Sequence, residues 1–279
     1  MPTKDERKLE AEKHNGLMRG VFAKETASGI EAAVLYEDGV GRELALPEAR
    51  FEETTIEVRL VGAERALLQA RGKACVIDPA SYRYPGSGYI NGAWTTEAAL
   101  CAYSNLYQIL EGLTEAFYDQ NRNDVRGELY SDRALFLPEV TFTEGGMKKR
   151  CVVVCAPPDC KRALERHRSD AEIAGDLANR IETAMRIAAA QEIDTLVIPA
   201  FGCGAQGNDK QQVAQLFKQW LDEHPGQFQT VVFAISRPFI DAFDEAFATS
   251  APQKPEPEVV DVEDEPEEDD EDWRNYMSV

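Results

Sequence analysis

Basic residues are in short supply: 30 Lys and Arg stand against 50 Asp and Glu in 279 residues, a net charge of −20. Nucleic-acid binders need a basic footprint to displace counterions from phosphates, so direct nucleic-acid binding is not expected. Apolar runs are short, and none reaches the roughly 20 residues of a membrane-spanning helix. The charged start Met1–Arg7 has no apolar stretch like that of a signal peptide. Six cysteines without a C-x-x-C pair form no disulfide framework in a chain of this length, which points to a reduced, cytoplasmic protein. Cys151 and Cys155 lie four apart in one strand pattern and read as buried thiols, so no metal and no cofactor is expected. The three histidines, His14, His167 and His224, all fall away from the candidate loops described below, which sets imidazole catalysis aside. No internal repeat is visible.

What is present is unevenly spread. Residues 251–279 hold twelve acidic and two basic side chains, half of the whole net charge, together with four prolines. Self-repelling carboxylates and prolines both oppose packing, so this segment is expected to be a disordered acidic tail. A solubilising role is its simplest reading, and Trp273–Met277 at its end could dock on a protein. The 43% hydrophobic content leaves enough for a real core in the remainder. A monomer is expected.

That remainder alternates β-branched runs with amphipathic helical patterns. Strands are expected at Ile56–Leu60, Ala74–Asp78, Ala134–Phe142, Cys151–Ala156, Thr195–Phe201 and Thr230–Ile235. One helix is predicted to carry Ala99, Tyr103, Leu106, Leu110, Leu113 and Phe117 on one face. A second starts at a Ser169–Glu172 capping box, and a third stops at His224-Pro225-Gly226. The alternation predicts an α/β domain over 55–250 with a largely parallel or mixed sheet. Residues 1–54 are predicted to be mainly helical and to pack on that core.

Open α/β sheets bind ligands outside the carboxyl ends of their strands, which directs attention to two loops. After Thr195–Phe201 comes Gly202-Cys203-Gly204-Ala205-Gln206-Gly207-Asn208, a G-x-G-x-x-G spacing between strand and helix. Glycines there let backbone N–H groups surround a phosphate, with a helix N-terminus behind. The same spacing alone is compatible with a dinucleotide-dependent oxidoreductase, although the next strand runs into Ser236-Arg237 rather than an acidic residue. Cys203 reads as a small side chain packed under the loop. After Ala74–Asp78 comes Pro79-Ala80, then Gly86-Ser87-Gly88-Tyr89-Ile90-Asn91, with Glu97 opening a helix. The Gly-Ser-Gly turn can form a second anion nest, Tyr84, Tyr89 and Trp94 offer flat surfaces, and Glu97 offers acid–base chemistry. Glu97 is equally suited to offsetting a helix dipole.

Together these loops resemble the macrodomain-type poly(ADP-ribose) glycohydrolases of the compact microbial branch. That family has a Gly-Gly-Gly segment, seven residues, then Gln-Glu-Glu. Here Gly86-Ser87-Gly88 is followed by seven residues and Thr96-Glu97-Ala98, with Leu100-Cys101 supporting the register. Leu129–Arg133, the Gly202–Asp209 loop and the strand Val231–Ile235 also fit, over roughly residues 55–248. The resemblance implies a three-layer α/β/α fold that binds ADP-ribose or a derivative. It implies contacts from Asp78, Ala80, Gly86, Ser87, Gly88, Tyr89, Asn91, Glu97, Gly202, Cys203, Gly204, Ala205, Gln206, Gly207 and Asn208. In the family the second glutamate protonates the leaving ribose oxygen and then activates water, and Ala98 stands there in this chain. The first glutamate, which helps hold the ribose hydroxyls, is Glu97. The resemblance therefore leaves three outcomes. The domain only binds, Glu97 takes over catalysis on a different ADP-ribosyl linkage, or another carboxylate such as Asp78 or Asp132 serves.

The acidic tail should repel a polyanionic chain of ADP-ribose units. Truncation at residue 250 is then expected to strengthen polymer binding at low salt, and an unchanged affinity in a filter-binding titration would end that idea.

Overall fold

Short β-branched runs build one mixed seven-stranded sheet in the computed structural model, which describes residues 2–248. The strands are β1 (Val34–Tyr36), β2 (Thr55–Arg59), β3 (Ala74–Pro79), β4 (Ala134–Phe142), β5 (Lys148–Cys155), β6 (Thr195–Pro199) and β7 (Thr230–Ala234). Their order across the sheet is β1-β4-β5-β3-β6-β7-β2. The five strands from β5 to β2 run parallel, while β4 is antiparallel to both β5 and β1. The six strands expected from sequence are all there, within a few residues at their ends. The acidic tail and its terminal aromatic segment lie outside the described residues. Among the described residues no helix is long and apolar enough to cross a membrane.

Alternation along the strands fills both faces of the sheet. Cys75, Ile77, Val153, Ile198 and Phe233 face one core, closed by the helices Asp170–Ala190, Lys210–Glu223 and Ile240–Phe247. Ala74, Val76, Val152, Val197 and Val232 face the other, closed by Ala63–Gln69, Thr96–Ala102 and Leu106–Gly112. The result is three layers, α/β/α. Cys75, Cys101, Cys151, Cys155 and Cys203 are all buried free thiols.

The N-terminal segment holds the helices Lys4–Val21 and Ala23–Glu31, and Val34–Tyr36, which the sequence did not flag, pairs with Ala134–Phe136 as the sheet edge. Three residues are too few to show a period-2 pattern in sequence. The helix expected through Ala99–Phe117 is interrupted. It stops at Ala102 and restarts at Leu106. At the break the Ser104 hydroxyl donates to the Leu100 carbonyl at 2.7 Å and accepts from the Leu106 N–H. Asn105 exchanges hydrogen bonds with the Thr141 backbone, its N–H donating and its side-chain oxygen accepting. Ser and Asn side chains compete with helical hydrogen bonds in this way, and spacing of apolar residues does not reveal it.

One charged group is buried under the sheet edge. Arg180 is 1% exposed and donates to the carbonyls of Ala156 at 2.5 Å and Leu129 at 3.2 Å, with Asp132 at 3.1 Å. Asp132 also accepts from Arg42 and Thr183, each at 2.6 Å. Removing one partner of such a pair strands a buried charge. Asp132→Ala is expected to cost about 3–5 kcal/mol in urea unfolding. An unchanged midpoint would mean that the carbonyls alone satisfy Arg180.

Candidate functional site

β3, β5 and β6 lie side by side and end at one edge of the sheet, and the β5-to-β6 connection crosses over β3. That is the place where strand order reverses and a crevice opens. Three loops leave there: 79–95 after β3, 156–159 after β5 and 200–209 after β6.

The β3 loop is organised by one carboxylate. Glu97 sits in the first turn of the helix Thr96–Ala102, with Thr95 as N-cap, and is 1% exposed. It accepts from the Ser81 N–H at 2.7 Å, the Gly86 N–H at 2.9 Å and the Ser87 hydroxyl. Gly86, Ser87 and Gly88 form a left-handed turn, with φ of 75°, 44° and 78°. A Cβ on Gly86 would also meet the Tyr107 ring at 2.8 Å, so this position demands glycine. Ser87 tolerates the left-handed region at a cost of about 1–2 kcal/mol. The expected nest of N–H groups for a ligand anion is thus partly filled from within, because the Gly86 N–H is spent on Glu97. The glutamate serves the loop as well as its helix, which the dipole argument alone misses.

Behind Glu97 lies Asp78, at the end of β3. It is fully buried, and among the described residues neither carboxylate oxygen has a hydrogen-bond partner. The Tyr118 hydroxyl, from the short helical turn Thr114–Tyr118, is buried and likewise without a partner among the described residues. Burial, and secondly the Glu97 charge, hold the Asp78 carboxyl well above the usual range. Burial pushes Glu97 up to about 7, against the pull of its three donors. Asp132, the other carboxylate raised from sequence, is committed to Arg180, Arg42 and Thr183 and leaves no free acid. Ala98 is 2% exposed and packs in the core with Leu100 and Tyr107.

The β6 loop keeps its backbone open. Gly202 and Gly207 take φ of 71° and 72°. The Cys203 N–H donates to Ala200, Gly207 to Gly204 and Asn208 to Gly202. Among the described residues, the N–H groups of Gly204, Ala205 and Gln206 donate to no backbone carbonyl or side chain, and Gly204 and Ala205 are exposed. The buried Asn208 side chain ties the loop to Pro158 and Gly202 at 2.9 and 3.0 Å. The Lys161 N–H donates to Gln206 at 3.2 Å, and its stem would touch a Cβ on Gly207. Burial pushes the Cys203 thiol up to about 12, so it packs as a neutral group. Asp209 caps the helix behind the loop, its side chain accepting from the Gln212 N–H at 2.8 Å, so a carboxylate stands at that helix N-terminus beside the open N–H groups of 204–206.

The remaining residues divide. Ala80 is buried beside Asp78, Gly88 is half-buried and Asn91 is exposed. Tyr84 and Trp94 are exposed, under Arg122 at 5.3 Å and Arg7 at 5.9 Å. Tyr89 is not a surface plate: it is 4% exposed and its hydroxyl lies 2.8 Å from His14 Nδ1. His14 is therefore next to a candidate loop, contrary to the sequence reading, because the helix Lys4–Val21 packs over residues 85–92. Sequence reasoning also missed Ser81, Tyr118 and Lys161. Only Lys161 carried a signal, as a cation just after a strand end.

Known proteins share this fold. Residues 15–144 match the family described as microbial-type PARG, catalytic domain, and residues 129–217 match the macro domain. Among solved structures, the poly(ADP-ribose) glycohydrolase of Deinococcus radiodurans, in complex with ADP-ribose, is 26% identical with a TM-score of 0.73. The similarity covers 80% of this chain and 97% of that one. The enzyme of Thermomonospora curvata is 26% identical with a TM-score of 0.77, over 86% of this chain and 99% of that one. The latter bound to the inhibitor ADP-HPD is 27% identical, with a TM-score of 0.73 and the same coverage. No curated protein matches the chain. The chain is thus similar to the microbial-type PARG catalytic domain over residues 15–144 and to the macro domain over residues 129–217, and its fold is macrodomain-like.

Asp78 gives a stability test. Its pKa is raised in the fold, so its stability is intact below the ordinary carboxylate range and is lost as pH rises toward the folded value. The loss runs at about 1.4 kcal/mol per pH unit. Asp78→Asn is expected to raise the urea midpoint at pH 8 and to leave it unchanged near pH 3.5. An equal difference at both would remove the electrostatic cause.

Proposed function

We propose that this protein binds ADP-ribose, free or attached to another molecule, across the β3 and β6 loops, and lacks the glycosidic hydrolysis of its relatives. The N–H groups of Gly204, Ala205 and Gln206, with Gly202, Cys203, Gly207 and Asn208 shaping their loop, hold the diphosphate. Glu97 meets the distal ribose, with Gly86, Ser87, Gly88 and Asn91 around it and Asp78 and Ala80 behind. The observation that carries this reading is the run of uncommitted N–H groups at the end of β6, beside β3. Backbone donors bind a diphosphate without net positive charge, which an acidic chain needs. The loss of hydrolysis rests on Ala98. A methyl group packed in the core supplies no proton to a leaving oxygen, and a positioned acid–base group contributes about 10²–10⁴-fold.

The test is calorimetry with ADP-ribose. Micromolar binding is expected, and no heat with either ADP-ribose or its polymer would reject the reading.

A second reading is favoured by one observation. Glu97, pushed up to about 7 by burial, holds a proton near neutrality as a general acid must. It would release ADP-ribose from a linkage other than ribose–ribose. Activity of that kind should persist below pH 7, fall above it and vanish in Glu97→Gln. Equal turnover in that variant would remove Glu97 from the chemistry.

A further inference from the structure

The three donors on Glu97 are not alike. The Ser81 and Gly86 N–H groups belong to the backbone and cannot turn away without remodelling the loop. The third is the Ser87 hydroxyl, on a half-buried side chain with a rotatable bond. Ser87 stands between two glycines in a left-handed turn, at φ 44°, where side chains are disfavoured. The hydroxyl makes one hydrogen bond among the described residues, and that bond is to Glu97. A serine is thus held in a glycine's conformation, with its polar atom on a buried carboxylate at the mouth of the crevice.

We propose that Ser87 is a built-in stand-in for a sugar hydroxyl, occupying the Glu97 oxygen that a ligand's ribose would otherwise take and so lowering affinity for the ribose end alone. The proposal rests on the ADP-ribose reading above and narrows it to one subsite. A ribose hydroxyl is a single O–H donor like that of serine, and exchange of one for the other needs only rotation of the Ser87 side chain. The bond a ribose would make is therefore offset by the bond it breaks. A ligand without the distal ribose never meets this competition.

Full-length protein and its Ser87→Gly and Ser87→Ala variants, each titrated calorimetrically with ADP-ribose and with ADP, test this. Both variants are expected to bind ADP-ribose roughly tenfold more tightly than the parent. Neither should change its affinity for ADP, which has no distal ribose. Unchanged or weaker ADP-ribose binding overturns the proposal, as does equal tightening of ADP. A gain confined to Ser87→Gly also overturns it, because alanine removes the hydroxyl while keeping the side chain in the left-handed turn. That result would assign the gain to backbone relief.

A readout without ligand separates this from the wider reading. Carbon NMR of the Glu97 carboxyl follows its titration among Asp78 from β3, Cys101 on its own helix and Tyr118 from the facing turn. Loss of the Ser87 donor removes a bond that favours the ionised form, so the midpoint should rise in both variants. No shift would show that Ser87 does not engage Glu97 in solution. If no variant binds either nucleotide, the ADP-ribose reading falls, and the NMR midpoint alone decides the Ser87 contact.

Discussion

A single buried carboxylate shapes the crevice. Glu97 gathers Ser81, Gly86 and Ser87 from a loop that leaves the sheet at β3 and returns as the helix carrying the glutamate itself. The left-handed turn at 86–88 is closed by this side chain, and through Gly86 it rests on Tyr107 in the core. A loop held in this way is tied to the protonation of one group. Ionisation is costly for its neighbour Asp78, since burial and the Glu97 charge both oppose it, and among the described residues neither carboxylate has an arginine or lysine partner. The strained turn and the buried Asp78 both lie at the crevice proposed to bind ADP-ribose, and strain of this kind clusters at functional positions.

The β6 loop solves a different problem. A protein with 50 acidic and 30 basic residues cannot draw in an anionic ligand by its overall field. On the proposed reading the answer is local: glycines at 202 and 207 bend the chain, and the N–H groups of 204–206 have no partner among the described residues. The Lys161 side chain, from the helix Cys160–Glu165, lies against Gly207. Asp209, capping the next helix, sets a carboxylate beside the same loop. The two loops therefore differ in kind. One is organised by a carboxylate, proposed above to meet ribose hydroxyls; the other offers amides, proposed to hold phosphate.

The strands were legible because buried parallel strands are near-continuous apolar runs, as in Val152–Val154 and Leu196–Ile198. The two loops were legible because their glycines punctuate strand ends. The broken helix at Ser104-Asn105 was not, since its cause is hydrogen bonding to Leu100 and Thr141, and one of these is distant in sequence. Tyr89 looked like an exposed plate beside a glycine turn, but the N-terminal helix covers it, and no local pattern announces that docking. Most telling is Glu97. Its position was readable from spacing to the glycines, whereas its engagement with Ser81 and its closeness to Asp78 depend on how tightly β3 and the following helix close on each other.

The strand order also governs how the chain can assemble as it is made. Among the described residues β2 finds its one sheet partner in β7, some 170 residues later, and central β3 waits for β5 and β6. Such distant pairings slow folding and leave apolar edges uncovered meanwhile. Until Thr230–Ala234 emerges from the ribosome, Thr55–Arg59 has nothing to pair with, so the sheet closes at that edge as almost the last act of synthesis.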